Sequence, residues 1–503
     1  MKYLNKYLLC LISGALLTLS FAPFNQFYLG IICPLILLLC LQHASPKQAF
    51  WRGLIFGIGL FATGISWVYV SIHTYGNADI PLSLLITALL VLIMALFPAL
   101  MVFSLAKWSK LSRLNGMLCA FPAAWVLFEW MRSWIFTGFP WLLLGYSQIS
   151  SPLAGFAPIL SVFGVSLAAV WTSAALLAAW QSPKRARLFI IIALILVWGL
   201  GQGLRSVHWT KPDGSAVKVS MVQGNISQSI KWSQAYQDQI LQTYQSLNKQ
   251  AWGSSLIFWP EAAVPLLPEQ VYGYLNSLNQ AAKSNHAAIL LGLPLDNATT
   301  QQYYNGAIVI GNGQGLYLKR HLVPFGEYVP LLNILGPLLN SLTIPMSSFS
   351  EGPDAQALPI MNGISVAVFI CYESAFPEEF RDTLQNAQLI ATLSDDSWFG
   401  HSLGLYQHQE MDQMRALETG RYLVRSTNNG GTSVVNPQGK IIASLPAFTA
   451  AVLNAQIIPM TGRTPWLIIG IWPLLGLILA MLMLSVIVER MQTASACRQP
   501  NIT

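Results

Sequence analysis

The sequence predicts a multi-pass α-helical membrane bundle of about eight spans that carries one α/β domain outside the membrane. Three observations predict it. Apolar residues are in excess, the Lys and Arg between spans cluster in alternate loops, and one long polar segment alternates strand and helix patterns. Of 503 residues, 54% are hydrophobic and 9% charged, whereas soluble domains run at about a quarter charged. Such a chain lacks the polar residues to cover a water-exposed surface. The net charge of +7 does not point to nucleic acid, because no basic stripe interleaved with aromatics occurs. The basic residues sit between apolar segments instead.

Apolar stretches long enough, or nearly so, to cross about 30 Å of hydrocarbon fall at about 7–22, 28–43, 52–72, 82–104, 117–135, 157–180 and 187–204. An eighth runs from about Trp466 to Val488. The first two are short enough to form a helical hairpin. The first is not followed by a small-x-small cleavage site, so it reads as retained. Lys2 and Lys6, Lys47 and Arg52, Lys107, Lys110 and Arg113, and Lys184, Arg185 and Arg187 occupy one side, with Arg490 and Arg498 after the last span. The intervening loops 23–27, 73–81 and 136–156 contain neither Lys nor Arg. The positive-inside rule then places both termini in the cytoplasm and the polar segment on the far side, the periplasm in a bacterium.

The expected division is 1–204 for the first seven spans, 205–464 for the extracytoplasmic domain, and 465–503 for the last span and tail. Within the domain, β-branched runs at 217–222, 255–259, 288–292, 306–310, 364–370, 389–393 and 431–435 predict strands. Residues 233–250 and 405–421 predict helices, the first with Tyr236, Ile240, Tyr244 and Leu247 on one face. The alternation describes one α/β domain.

Three segments of this domain run from an apolar strand into a reactive residue: Leu256-Ile257-Phe258-Trp259-Pro260 into Glu261, Leu316-Tyr317-Leu318 into Lys319, and Ser365–Ile370 into Cys371. Open α/β sheets build their sites at such carboxyl ends. Cys371 is the one cysteine of the polar segment, so that segment has no internal disulfide and holds a free thiol. No zinc-type Cys/His spacing occurs, and no Gly-rich phosphate loop. The chemistry these residues fit is acyl transfer through a thioester. Cys371 attacks a carbonyl, Glu261 takes and returns the proton, and Lys319 meets the oxyanion. Singly, each residue reads as structure: a small buried thiol, a turn carboxylate, an edge-strand charge. Together they read as a site.

The flanking residues sharpen this. His321-Leu322-Val323-Pro324-Phe325-Gly326-Glu327, Gln223-Gly224-Asn225 through Trp232, Cys371-Tyr372-Glu373 with Phe376-Pro377-Glu378, Trp398-Phe399-Gly400, Arg415-Ala416-Leu417-Glu418 and Arg425–Gly430 form one pattern, with Thr137–Trp141 in the membrane part. It resembles the nitrilase superfamily, whose Glu–Lys–Cys triad sits on an α-β-β-α sandwich. With the spans, it is similar to the apolipoprotein N-acyltransferases of Gram-negative bacteria. The resemblance implies Cys371 as nucleophile, Glu261 as base, Lys319 as oxyanion stabiliser, Glu327 supporting the triad, and Trp232, Tyr372 and Glu373 shaping the substrate site. It also implies an inner-membrane monomer that needs no metal or cofactor. Its acyl donor is a phospholipid and its acceptor a diacylglyceryl-modified apolipoprotein. The family usually shows Ser-Asn-Asp-Ala-Trp where this chain has Ser394-Asp395-Asp396-Ser397-Trp398, which adds a charge near the site.

Two rivals share some of these features. A membrane-tethered nitrilase-type amidase has the triad but no use for the bundle or for the apolar run Val329–Phe349, which we read as a membrane-dipping lid. A transporter with a binding domain is disfavoured by spans with a single charged pair, Glu129 and Arg132, and no inverted repeat.

Overall fold

In a computed structural model of the chain, which describes residues 2–297, 299–328, 349–384 and 386–497, the backbone divides into two compact units. One comprises 1–66, 84–207 and 469–503, the other 67–83 and 208–468. The segment Trp67–Ser83, which the sequence assigns to the bundle, thus groups with the α/β unit.

The first unit is helical. Every expected span has a helix within it, but among the described residues length and apolarity suffice for a crossing only at Ile80–Trp108, Pro152–Gln181, Lys184–Arg205 and Trp472–Gln492. A fifth is added if Pro46–Gly64 and Trp67–Tyr75 count as one broken span. Asn5–Ser20 and Leu29–Leu41 are apolar but shorter, and Phe121–Arg132 has 12 residues. Glu129 and Arg132 are both buried. The carboxylate accepts from Trp125 Nε1 at 2.9 Å and the Leu144 N–H at 2.8 Å. The guanidinium donates to the carbonyls of Phe139 and Trp141 at 2.7 and 2.6 Å.

The second unit stacks two sheets between helices. One sheet runs in the order Ala451–Ile457, Val217–Gln223, Leu256–Phe258, Ala288–Asn297, Gln302–Gly311, Leu316–Leu318. The other runs Ile441–Ser444, Ser433–Val435, Leu423–Thr427, Leu389–Ser394, Ile364–Ile370, with Ile360–Met361 and Gly313–Gln314 at its edge. The central pairings, among 217–223, 256–258 and 288–297 and among 364–370, 389–394 and 423–427, are parallel. Parallel strands are covered on both faces, which explains their unbroken apolar runs.

Side chains alternate across each strand. Val219, Met221, Leu256, Phe258, Leu290, Val366, Val368, Ile370, Ala391 and Leu393 meet in one core between the sheets. Val222, Ile257, Trp259, Ile289 and Leu291 face out, against Ile240, Leu241 and Tyr244 of helix Gln237–Asn248 and Leu275 and Leu278 of helix Tyr272–Ser284. On the second sheet Phe369 stacks on Phe380 of helix Pro377–Thr383 at 3.6 Å. The layers are α-β-β-α. Each large apolar side chain so buried contributes about 1.5–3 kcal/mol.

The strands Leu423–Thr427, Ile441–Ser444 and Ala451–Ile457 and the helices Tyr272–Ser284 and Pro377–Thr383 have no counterpart among the sequence expectations. Tyr236, expected on the buried helix face, is 41% exposed. The apolar run expected as a lid lies, apart from Phe349, outside the described residues.

Candidate active site

The sheet ends put Glu261, Lys319 and Cys371 where their charges interact. Glu261 follows Trp259-Pro260, and the proline, lacking an N–H, helps release the chain from the ladder. The turn then lies on the neighbouring strand at Gly292, where a Cβ would sit 2.5 Å from the Pro260 carbonyl oxygen and 2.8 Å from Glu261 Cα. Glycine is what allows that approach.

The Glu261 carboxylate is nearly buried and fully bonded. One oxygen accepts from Asn305 Nδ2 at 2.7 Å and lies 3.6 Å from Lys319 Nζ. The other accepts the backbone N–H of Asp395 at 2.9 Å. Burial raises its pKa above the usual carboxylate range; Lys319 opposes this and Glu327 adds to it. Lys319 is buried and donates to Glu327 at 2.8–2.9 Å. Burial works against its ammonium, yet the carboxylates of Glu327 and Glu261 outweigh that and hold its pKa above the ordinary lysine value. It stays charged. Asn305 Nδ2 also donates to Glu327 at 2.8 Å, and Glu327 accepts the Val323 N–H at 2.8 Å.

Cys371 sits at the end of Ile364–Ile370 with φ +52°, in the left-handed region. For a residue with a Cβ this costs on the order of 1–3 kcal/mol, a strain kept only where surroundings enforce it. The Cys371 residue remains partly exposed. Burial raises its thiol pKa well above the ordinary value, with the Glu261 charge raising it further and Lys319 lowering it. A thiol in this state needs a base to become nucleophilic, and Glu261 is the neighbouring carboxylate with a raised proton affinity.

Glu373 is fully buried. It accepts the Ile370 N–H at 2.6 Å on one oxygen, and on the other the Arg320 N–H at 2.7 Å, the His321 N–H at 3.2 Å and the Tyr317 hydroxyl at 2.8 Å. It therefore ties the Lys319 strand end to the Cys371 turn. Burial, then the Glu379 charge, raise its pKa to about 7. Tyr372 packs edge-on against His321 and Phe376, at 5.6 and 5.0 Å. Trp232 ends the short helix Gln228–Lys231 and stands 48% exposed.

Sequence reading missed two of the closest partners. Asn305 bridges both glutamates; its signal was an amide set in the apolar strand Gln302–Gly311. Lys231 pairs with Asp395 at 2.5 Å and donates to the Glu261 carbonyl at 3.1 Å. The unusual Asp395 thus has a buried counter-ion. Its other oxygen accepts from the Ser397 hydroxyl at 2.5 Å and Asn428 Nδ2 at 3.1 Å. Asn428 in turn latches Ile226 through both its N–H and carbonyl.

Comparison with known proteins bears on the family of the whole chain. The apolipoprotein N-acyltransferase N-terminal domain model matches residues 13–175, and the carbon-nitrogen hydrolase model matches 218–464. An apolipoprotein N-acyltransferase of Coxiella burnetii is 44% identical over 95% of this chain and 99% of its own length. One of Azotobacter vinelandii is 42% identical over 97% and 96%. Among solved structures, an amidase from Nesterenkonia sp. AN1 covers 52% of this chain and 97% of its own, with 19% identity and a TM-score of 0.36.

Proposed function

We propose the reaction from one premise: this chain belongs to the apolipoprotein N-acyltransferase family. It transfers a fatty acyl group from a phospholipid to the α-amino group of a diacylglyceryl-modified N-terminal cysteine of an apolipoprotein. The observation that supports the mechanism is Glu261, a bonded carboxylate with a raised pKa, 3.6 Å from Lys319 Nζ, whose charge acts on the Cys371 thiol.

In the first half-reaction Glu261 removes the thiol proton as Cys371 Sγ attacks the ester carbonyl. Lys319 Nζ stabilises the oxyanion of the tetrahedral intermediate. The C–O bond breaks, Glu261 returns the proton to the departing alkoxide, and a lysophospholipid leaves the thioester behind. In the second half the amine attacks the thioester and loses its proton to Glu261. The C–S bond breaks, the amide forms, and the thiolate recovers the proton. Glu327 and Asn305 hold Lys319 and Glu261 in register. Trp232, Tyr372 and Glu373 are assigned to the substrate side of the site, the last by fixing its backbone.

The topology that suits these substrates has eight spans, the shorter helices included, with both termini cytoplasmic and 205–464 in the periplasm of a bacterial inner-membrane monomer. Lipid substrates of the outer leaflet then reach the site without crossing the membrane.

Intact-mass analysis after incubation with phospholipid should reveal one fatty-acyl adduct, mapped to Cys371 and released by neutral hydroxylamine. Transfer of that acyl group to a diacylglyceryl lipopeptide, in preference to water, separates this reaction from an amidase. An adduct that forms without Cys371 eliminates the mechanism.

A further inference from the structure

We infer that His408 is a positioning residue of the nucleophile: its ring holds the carbonyl of Cys371 and so maintains the left-handed backbone that presents the thiol. The inference rests on Cys371 being the nucleophile.

His408 lies on helix Gly404–Thr419, fully buried, and its Nε2 is 3.0 Å from the Cys371 carbonyl oxygen. A carbonyl only accepts, so Nε2 carries a hydrogen in every state that makes this contact. The opposite ring edge is anchored. Nδ1 lies 2.9 Å from an Arg425 NH₂ group and 3.1 Å from Asp396 Oδ1. Asp396 is held by Arg425 at 2.7 Å and by the Ser394 hydroxyl at 2.8 Å, and Arg425 reaches Asp412 with its other arm. Phe399 packs edge-on against the ring at 5.8 Å. The backbone closes over the network at Gly430, where a Cβ would fall 1.9 Å from Asp396 Oδ2.

This rigidity is what the Cys371 turn requires. A left-handed residue with a side chain relaxes unless its peptide groups are held. One peptide earlier, the Phe369–Ile370 amide is held by the Ile370 N–H to Glu373 bond at 2.6 Å. His408 holds the carbonyl that follows. A ring fixed on one edge by an Arg–Asp lattice and donating from the other is a more exact clamp than a free polar side chain, because its rotamer is already determined. His408 acts on the Cys371 carbonyl, so its effect on catalysis passes through that backbone; of the lattice groups, the Ser394 hydroxyl bonds the thiol itself and the Asp396 charge acts on it.

The two ring edges can be separated by substitution. His408→Gln places its amide near Nε2 and keeps a donor for the Cys371 carbonyl; His408→Asn places its amide near Nδ1 and keeps only the lattice contact. Both are made in the full-length protein in detergent, checked by thermal melting, and measured for acyl-adduct formation from phospholipid. Independently, the iodoacetamide labelling rate at the Cys371 peptide is followed by mass spectrometry. We expect His408→Gln to stay within about threefold of the parent and His408→Asn to fall roughly tenfold or more in acylation, a kcat effect with KM unchanged. Labelling should change in the same order. Equal acylation by the two folded variants, or a change in KM alone, overturns the inference. If His408→Asn does not fold, His408→Leu takes its place under the same criterion; failure of both to fold also overturns it, since the residue then serves the fold. Absence of any adduct in the parent defeats the acyl-transfer reading alone, and the labelling order still decides the role of His408.

Discussion

The six-stranded sheet ends near Glu261, Lys319 and Glu327, and the seven-stranded sheet near Asp396, Arg425 and Asp412; each cluster sets two carboxylates around one cation. Burial pushes both Glu261 and Asp396 toward their protonated forms. Asp396 nevertheless lies far below the carboxylate range, because Arg425 is 2.7 Å away and His408 and Ser394 also bond it. Glu261 goes the other way. Its cation is 3.6 Å off and is shared with Glu327, whose own charge opposes a second ionised carboxylate. Arg presents a fork that satisfies two partners at once, whereas the single ammonium of Lys is divided between them. The same charges thus build a rigid lattice in one place and a carboxylate of raised proton affinity in the other.

Substitutions break the comparison most sharply at the nucleophile. Cys371→Ala should form no acyl adduct and show no transfer, by mass spectrometry and lipopeptide assay. Glu261→Gln and Lys319→Ala should each lower transfer by about 10²–10³ with little loss of thermal stability. Of the two glutamates left behind by Lys319→Ala, Glu261 can take up a proton that its environment already favours, and Glu327 keeps its bonds from Asn305 and the Val323 N–H. Arg425→Met should do the reverse. It strands Asp396 and Asp412 without a cation, at a cost of roughly 3–5 kcal/mol, seen as a lowered melting temperature. A melting temperature unmoved by Arg425→Met would show that the two clusters do not differ as described.

Acidity sharpens the contrast. The base must be ionised to accept a proton, so acylation should fall as pH drops through the raised pKa of Glu261. The acid limb of the rate profile therefore lies above about 4.3, the ordinary glutamate value. Asp396, held low, should remain ionised across that range and leave the lattice intact. The smallest effect is expected at Trp232, which is half exposed. Trp232→Ala should change stability by no more than about 0.5 kcal/mol while raising KM for the lipid substrates.

Much of the site was legible because its chemistry sits where apolar strands stop. Glu261, Lys319 and Cys371 each interrupt a run of Ile, Leu, Val or Phe, and a reactive side chain there is visible without coordinates. Asn305 and His408 gave weaker signals, since a polar residue within an element more often serves packing than a site. Lys231 gave none: its partner is 164 residues away. The strand Leu423–Thr427 was missed because Arg425, Ser426 and Thr427 are polar yet fully buried. Their burial is made possible by the Asp396–Asp412 lattice, so the strand reads as a loop until its partners are known.

Composition, charge asymmetry and the period of apolar residues determined by themselves that this chain combines a helical apolar unit with one α/β unit, because hydrophobic periodicity is a local property. Only the tertiary structure decided that Trp67–Ser83 groups with the α/β unit. It also decided that Glu373 faces backbone donors from two strands, and that Asp395 has a buried counter-ion in Lys231. Those outcomes depend on which side chains meet across long separations, and on how far burial shifts a proton; both are set by three-dimensional distance, which the order of residues does not contain.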